Sequence, residues 1–163
     1  MTTLLIMTLL LMPNWIKSDE GGLPDLLCLP QLTSPLRTSE DIDGTVGLAA
    51  HTGADSAFSV SAVNVHPEIM YRLDGVGQQF LPPVEGYRRS QDMDALFYTN
   101  GAVYMIRPES FMRCKIVISP EASGCTIPPQ RSVDIDDETD FVCAEALMKR
   151  YQPMRIQNIH TEK

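Results

Sequence analysis

Between Arg131 and Phe141 the chain reads Arg-Ser-Val-Asp-Ile-Asp-Asp-Glu-Thr-Asp-Phe, a short apolar alternation that runs into a dense set of carboxylates. In an extended segment residues two apart share a face, so Asp134 and Asp136 would present paired carboxylates while Val133 and Ile135 turn to the core. Two anions held that close want a cation. A hard divalent ion such as Mg2+ takes oxygen ligands, commonly one or two carboxylates together with waters and substrate phosphates. The same residues also spell an acidic helix start, with Asp137 as N-cap and Glu138 and Asp140 in the first turn, where the helix dipole favours negative charge. Taken alone, the segment favours the capping reading, because acidic helix starts are common.

The elements that must position these carboxylates fit one domain. The chain has 163 residues, 44% hydrophobic and 21% charged, enough for one globular domain with its own core spanning 1–163. Its formal charge of -8 argues against a nucleic-acid or anionic-membrane binder, whose footprint would be a basic patch. A phosphate-bearing ligand must therefore meet a local cluster of cations or a metal. Cys28, Cys114, Cys125 and Cys143 form no CxxC or other zinc spacing, which predicts reduced, mostly buried thiols in a cytoplasmic protein. His51, His66 and His160 form no metal-ligand spacing either. The apolar run Met1–Met12 lacks a basic leader region and a small-residue cleavage site before Lys17, and it is shorter than the roughly 20 residues a membrane span needs. It is expected to be a buried helix ending between Pro13 and Gly22.

Leu23–Leu29 is a mostly apolar run of the kind buried on both faces of a parallel sheet, and it opens into the polar loop Pro30–Arg37. Thr38-Ser39-Glu40-Asp41 reads as a helix start of the capping-box type, with Ile42, Val46, Leu48 and Ala49 as its apolar face and Gly53 as its stop. Ala57–Val63 alternates small polar and apolar residues and should be a second strand, which makes a βαβ unit with a right-handed crossover. Loops at the carboxyl ends of such strands are where ligands bind, so the polar residues after Pro30 are well placed to touch one. An ordinary polar connection is the other reading of that loop.

From His66 to Asp94, three prolines and three glycines among scattered apolar residues suggest an excursion from the sheet. Within it, the adjacent Arg88 and Arg89 beside Gln91 can fork onto a carboxylate or phosphate, or form a solvated charge pair. Asn100-Gly101 lies between two apolar runs and is either a hairpin turn or a place where backbone must come close to a ligand. Cys114–Ile118 is a further strand candidate. After the acidic stretch, Phe141, Ala144, Leu147 or Met148, and Tyr151 recur at helical spacing, and that face is expected in the core. No Walker A loop, GxGxxG or internal repeat is present.

Taken in order, Gln31-Leu32-Thr33-Ser34-Pro35-Leu36-Arg37, Arg88-Arg89-Ser90-Gln91-Asp92, Asn100-Gly101-Ala102, and Asp134-Ile135-Asp136 with Asp140-Phe141 and Ala144-Glu145 resemble the acylneuraminate cytidylyltransferases, the CMP-sialic acid synthetases. The resemblance runs from Pro24 to Tyr151. It implies an α/β, nucleotide-diphospho-sugar transferase-like (Rossmann-like) mixed sheet. It also implies a reaction in which a nonulosonic acid attacks the α-phosphate of CTP and releases pyrophosphate. By that resemblance Asp134 and Asp136 are the catalytic pair and hold Mg2+. Gln31 contacts the acyl-sugar, and Thr33, Ser34, Arg37, Asn100 and Gly101 join it in substrate binding. Arg88 or Arg89, with Gln91, meets the sugar's carboxylate and polyol tail, and the inserted Ser90 leaves open which arginine does so. The segment 66–94 resembles the arm through which two family subunits exchange contacts, which implies a homodimer.

The family's Gly-rich, Arg/Lys-bearing loop for the CTP triphosphate has no counterpart here. The chain is thus read as the C-terminal two-thirds of such an enzyme, with little or no activity on its own, since positioning and charge neutralisation are most of phosphoryl-transfer catalysis. An enzyme for another sugar acid, or a non-catalytic dimerisation module derived from such an enzyme, are the competing expectations.

Overall fold

The computed structural model describes residues 23–81, 89 and 93–151. The expected helix over Met1–Met12 lies outside the described residues. Strand β1 (Leu27–Pro30) leads through the polar loop to helix α1 (Ser39–Thr52), which returns to strand β2 (Ser56–Ala62). A small antiparallel pair, β3 (Tyr71–Leu73) and β4 (Gly77–Gln79), stands apart as its own sheet. The long strand β5 (Phe97–Ile106), helix α2 (Pro108–Cys114), strand β6 (Ser123–Thr126) and helix α3 (Glu138–Tyr151) complete the order.

The main sheet has the order β1-β5-β2-β6. β5 runs antiparallel to both β1 and β2, so these two run parallel to each other with β5 between them. β2 and β6 are parallel neighbours. The fold is therefore α/β with a mixed sheet, as expected, but the strand-helix-strand unit straddles β5 instead of pairing directly. β1 is an edge strand, and only Leu27 of its residues is buried, so the doubly buried strand expected over Leu23–Leu29 is corrected. Pro30 ends it, in keeping with proline's confinement to edges.

Asn100-Gly101 is not a hairpin turn. β5 passes straight through it, with an interruption in its ladder to β2: Phe58 lies opposite Tyr104 and Val60 opposite Thr99, so Ser59 alone faces Asn100 through Val103. This is an enlarged β-bulge, the device that re-aims residues at the edge of a site.

Helix α1 begins and ends as its residues dictate. Thr38 accepts from the Asp41 amide and the Asp41 side chain accepts from the Thr38 amide, a reciprocal capping box, while Gly53 closes the helix in the left-handed region at φ 66°. Its inner face is Asp41, Thr45 and Ala49, with Ile42 and Val46 packed beside them. Ala49 joins Ala57, Ala102, Val103, Met105 and Ile127 in one core cluster. Leu27, Ile106 and Phe111 form a second cluster. Adjacent residues of a strand point to opposite faces, so Met105 and Ile106 put the clusters on the two sides of the sheet, α1 covering one and α2 the other. A Cβ on Gly44 of α1 would lie 3.5 Å from Cys125 Sγ of β6, in ordinary van der Waals contact.

Three expectations are corrected. The strand over Cys114–Ile118 is absent: Pro108 starts α2, Lys115 ends it at φ 58°, and the fourth strand is Ser123–Thr126. Helix α3 buries only Ala144, while Phe141 and Tyr151 are exposed. Of the four thiols, Cys28, Cys114 and Cys143 are exposed and Cys125 is half-buried, all of them free. The excursion from the sheet holds for β3 and β4, whose residues are exposed apart from the half-buried Gln79. No helix among the described residues is long and apolar enough to cross a membrane.

Candidate functional site

The polar loop after β1, the bulge of β5 and the segment before α3 meet at one point. Gly101, at φ 75°, is the marker: a Cβ built on it would lie 2.5 Å from Gln31 Oε1 and 3.2 Å from Asp134 Oδ2. Only glycine gives both the left-handed backbone and the room for these two side chains. Three segments separated by 70 and 33 positions are thereby brought together at residues 31, 101 and 134.

The loop is folded on itself by Arg37. Its Nη1 donates to the Gln31 carbonyl at 2.9 Å and to the Ala102 carbonyl at 2.7 Å, which stitches the loop to the bulge. Ser34 donates its amide to Gln31 O, and its side chain is fully buried with no partner for Oγ among the described residues. Thr33 Oγ1 is likewise buried and unpartnered, while the Thr33 carbonyl accepts from the Ile135 amide at 2.9 Å. Unsatisfied buried hydroxyls are costly and uncommon in folded proteins, and these two belong to the loop that bonds the Asp134 segment through Thr33.

The segment bearing Asp134 is held by three successive ties. Arg131 donates to Asp41 with two nitrogens, Nη2 to Oδ1 at 2.7 Å and Nε to Oδ2 at 3.0 Å. Ser132 accepts from Asn100 Nδ2 at 2.8 Å. Ile135 donates to Thr33. Burial pushes the Asp41 carboxyl up, but the hydrogen bonds and charge of Arg131 and the bonds from Thr38 outweigh it and hold the group below its ordinary value.

Asp134 itself is half-buried, and its Oδ1 is buried without a hydrogen-bond partner among the described residues. The Tyr104 phenol of β5 is pushed up, first by burial and then by the charge of Asp134. Tyr104 is a neighbour that sequence reasoning missed; the available signal was its polar tip in the otherwise apolar run Ala102–Ile106. Asp136 is exposed, and its amide donates to Asp140 Oδ2 at 3.1 Å. Asp137 accepts from the Asp140 amide at 3.0 Å while Asp140 Oδ2 accepts from the Asp137 amide, so Asp137 caps α3 as read from the sequence. Asp137 and Asp140 are thus engaged in capping, in which Asp134 takes no part.

The structure brings Gln31, Thr33, Ser34, Arg37, Asn100, Gly101 and Asp134 into one neighbourhood. Arg89 is exposed, and Arg88 and Gln91 lie outside the described residues. Asp134 Oδ1, without a partner among the described residues, is the kind of oxygen donor that a hard cation takes beside waters and phosphates. Among the described residues no three His, Cys, Asp or Glu side chains cluster, so a site closed by protein ligands alone, as structural zinc requires, is not what these residues form.

Comparison with known proteins points to enzymes that transfer a nucleotidyl group. In particular, over 116 residues, 70% of its length, the chain is 31% identical to an N-acylneuraminate cytidylyltransferase of Streptococcus agalactiae serotype V. Over 121 residues it is 31% identical to proteins of the same name from serotypes III and Ia of that species. The resemblance read from the ordered motifs is therefore shown. The chain spans 28% of the length of these curated relatives. No protein-family model matches it.

Proposed function

We propose that this chain carries the sugar-binding and metal-binding side of a cytidylyltransferase that transfers CMP from CTP to a sialic acid or related nonulosonic acid. The observation that supports this most directly is the meeting of Gln31, Gly101 and Asp134, the residues the family resemblance assigns to sugar and metal, at one glycine-lined point. In the reaction the sugar hydroxyl forms the bond to the α-phosphorus of CTP and loses its proton, and pyrophosphate leaves with the electrons of the broken P–O bond. Gln31 orients the acyl-sugar, with Thr33, Ser34 and Arg37 completing the loop that faces it. Arg88 or Arg89, with Gln91, takes the sugar's carboxylate and tail.

Asp134 and Asp136 are the residues that would hold Mg2+, which when bound neutralises phosphate charge and orients the attack. The nucleotide-diphospho-sugar transferase-like sheet order, a cytoplasmic location and a homodimer through 66–94 belong to the same proposal. In support of the last, Tyr71, Leu73, Val76 and Phe80 are exposed large apolar side chains on or beside the detached β3–β4 sheet.

Titration calorimetry tests the reading. The purified chain is expected to bind CMP-sialate in the presence of Mg2+, and Asp134→Asn with Asp136→Asn should abolish that binding. Absence of binding by the unmodified chain would refute the proposal and favour a non-catalytic module.

A further inference from the structure

The side chain that joins the β5 bulge to the Asp134 segment is buried and spends its polar atoms inside the protein. Asn100 is 2% exposed. Its Oδ1 accepts from Ser59 Oγ at 2.6 Å and from the Ala102 amide at 3.2 Å, and its Nδ2 donates to Ser132 Oγ at 2.8 Å. The orientation of the amide follows from chemistry: the Ala102 N–H can only donate, so the oxygen of Asn100 must face it and the nitrogen must face Ser132.

Both serines are saturated in turn. Ser59 Oγ accepts from the Val103 amide at 2.8 Å and uses its single proton on Asn100. Ser132 Oγ donates to the Pro128 carbonyl at 3.0 Å. Ser59 is 1% and Ser132 4% exposed. The result is a continuous chain of hydrogen bonds from β2 through the bulge to the turn that precedes Asp134. Buried polar chains with every member satisfied fix geometry more tightly than apolar packing, because each donor dictates the position of its acceptor.

Asn100 is the neighbour of Gly101, and Ser132 lies two residues before Asp134. The 2.8 Å bond between Asn100 and Ser132 therefore sets how closely the Gly101 backbone approaches the Asp134 carboxylate, where a Cβ would meet Oδ2 at 3.2 Å. We propose that Ser59, Asn100 and Ser132 are positioning residues. In place of the substrate contact that the resemblance implies for Asn100, they act as a clamp that fixes the Asp134 carboxylate and Gln31 at their working separation across Gly101. This inference rests on the proposed function for its metal-binding consequence, and not for its geometry.

Two readouts on the full 163-residue chain separate the two ideas. The first is the affinity for Mn2+, a paramagnetic stand-in for Mg2+, by titration calorimetry and water-proton relaxation. The second, in metal-free protein, is the NMR position of the Gly101 backbone amide and the Gln31 side-chain amide. Ser132→Ala is expected to weaken Mn2+ binding by about 10-fold or more, the usual loss when a ligand's outer support is removed. It is also expected to displace both resonances, with Ser132→Thr, which keeps the hydroxyl, restoring both.

Wild-type Mn2+ affinity in Ser132→Ala, with Asp134→Asn abolishing binding, would overturn the clamp and leave the proposed function standing. If Mn2+ does not bind even the unmodified chain, the proposed metal site fails, and the resonances decide the clamp alone: unchanged Gly101 and Gln31 signals in Ser132→Ala overturn it, and displaced signals support it. Should Ser132→Ala not fold, Ser59→Ala is read in the same way.

Discussion

Replacing Gly101 by alanine should damage the fold a little and the site a great deal, and the two effects can be measured apart. The backbone at Gly101 has φ 75°, where a side chain costs about 1–2 kcal/mol. For a chain of 163 residues each kcal/mol lowers Tm by about 2–4 °C, so a fall of roughly 2–8 °C is expected. The new Cβ would also sit 2.5 Å from Gln31 Oε1. An ordinary C···O contact is about 3.3–3.6 Å, so the Gln31 amide must retreat by roughly 1 Å. That movement is cheap for the fold, because the amide is the end of a flexible side chain. Under the proposed function it is expensive for the ligand, because misplacing an orienting group by about 1 Å can cost about 100-fold where orientation matters.

The assays are thermal unfolding and titration with CMP-sialate and Mg2+. Gly101→Asn is the informative companion, since asparagine tolerates the left-handed region better than alanine but carries more atoms into the gap. It should be the more stable of the two variants and bind no better. An alanine variant with wild-type Tm and wild-type binding would refute both the backbone strain and the close approach.

Three further outcomes follow from the same geometry. Asp41→Asn should destabilise the protein by about 1–3 kcal/mol at neutral pH, the range for a charge-assisted buried pair after allowance for the partly exposed Arg131. Because the folded-state value of Asp41 is depressed, its contribution is present above the ordinary carboxylate range and is lost as pH falls through the folded value. Urea midpoints of wild type and variant should therefore converge on acidification, and a gap independent of pH would refute this. Thr38→Ala removes half of a capping box and should cost about 1 kcal/mol in urea unfolding; a stability equal to wild type would show that the box contributes nothing. Phe141→Ser should change stability by no more than about 0.5 kcal/mol, since Phe141 is 58% exposed, and a larger loss would place it in an interface or core.

The features that could be read from the sequence are those with local causes. Helix α1 declares both ends within its own residues, Thr38 with Asp41 and Gly53, and β2 shows its alternation. Asp137 as the cap of α3 is equally local. The errors arose where the deciding partner is far away. Asn100-Gly101 stays open between a hairpin turn and a close backbone approach until Ser59, 41 positions earlier, is seen to bond Asn100 and hold the strand open. Cys114–Ile118 is more apolar than Ser123–Thr126, yet the latter is the strand, pairing with β2, while Cys114 and Lys115 are taken up by the end of α2. The helical spacing in α3 reports a capacity for burial, and within this chain only Ala144 uses it. At the site, Gln31, Gly101 and Asp134 were named through the ordered motifs, whereas Ser59 and Ser132 carry no local mark that separates them from ordinary strand and loop residues, and Tyr104 shows only a polar tip in an apolar run.

The interruption in β5 has a consequence for how such a site can change. The strand is gripped on both sides of the bulge, by Phe97–Thr99 against β2 before it and by Tyr104–Ile106 against β1 and β2 after it. Asn100 through Ala102 lie between these grips, opposite Ser59 on the β2 side, while Val103 is already paired with Pro30 of β1. Asn100, Ala102 and Val103 are all buried, so a change there is felt in the core as well as at the site. The strand works as a suspended span, with its abutments set by the core and its deck hung from the single hydroxyl of Ser59.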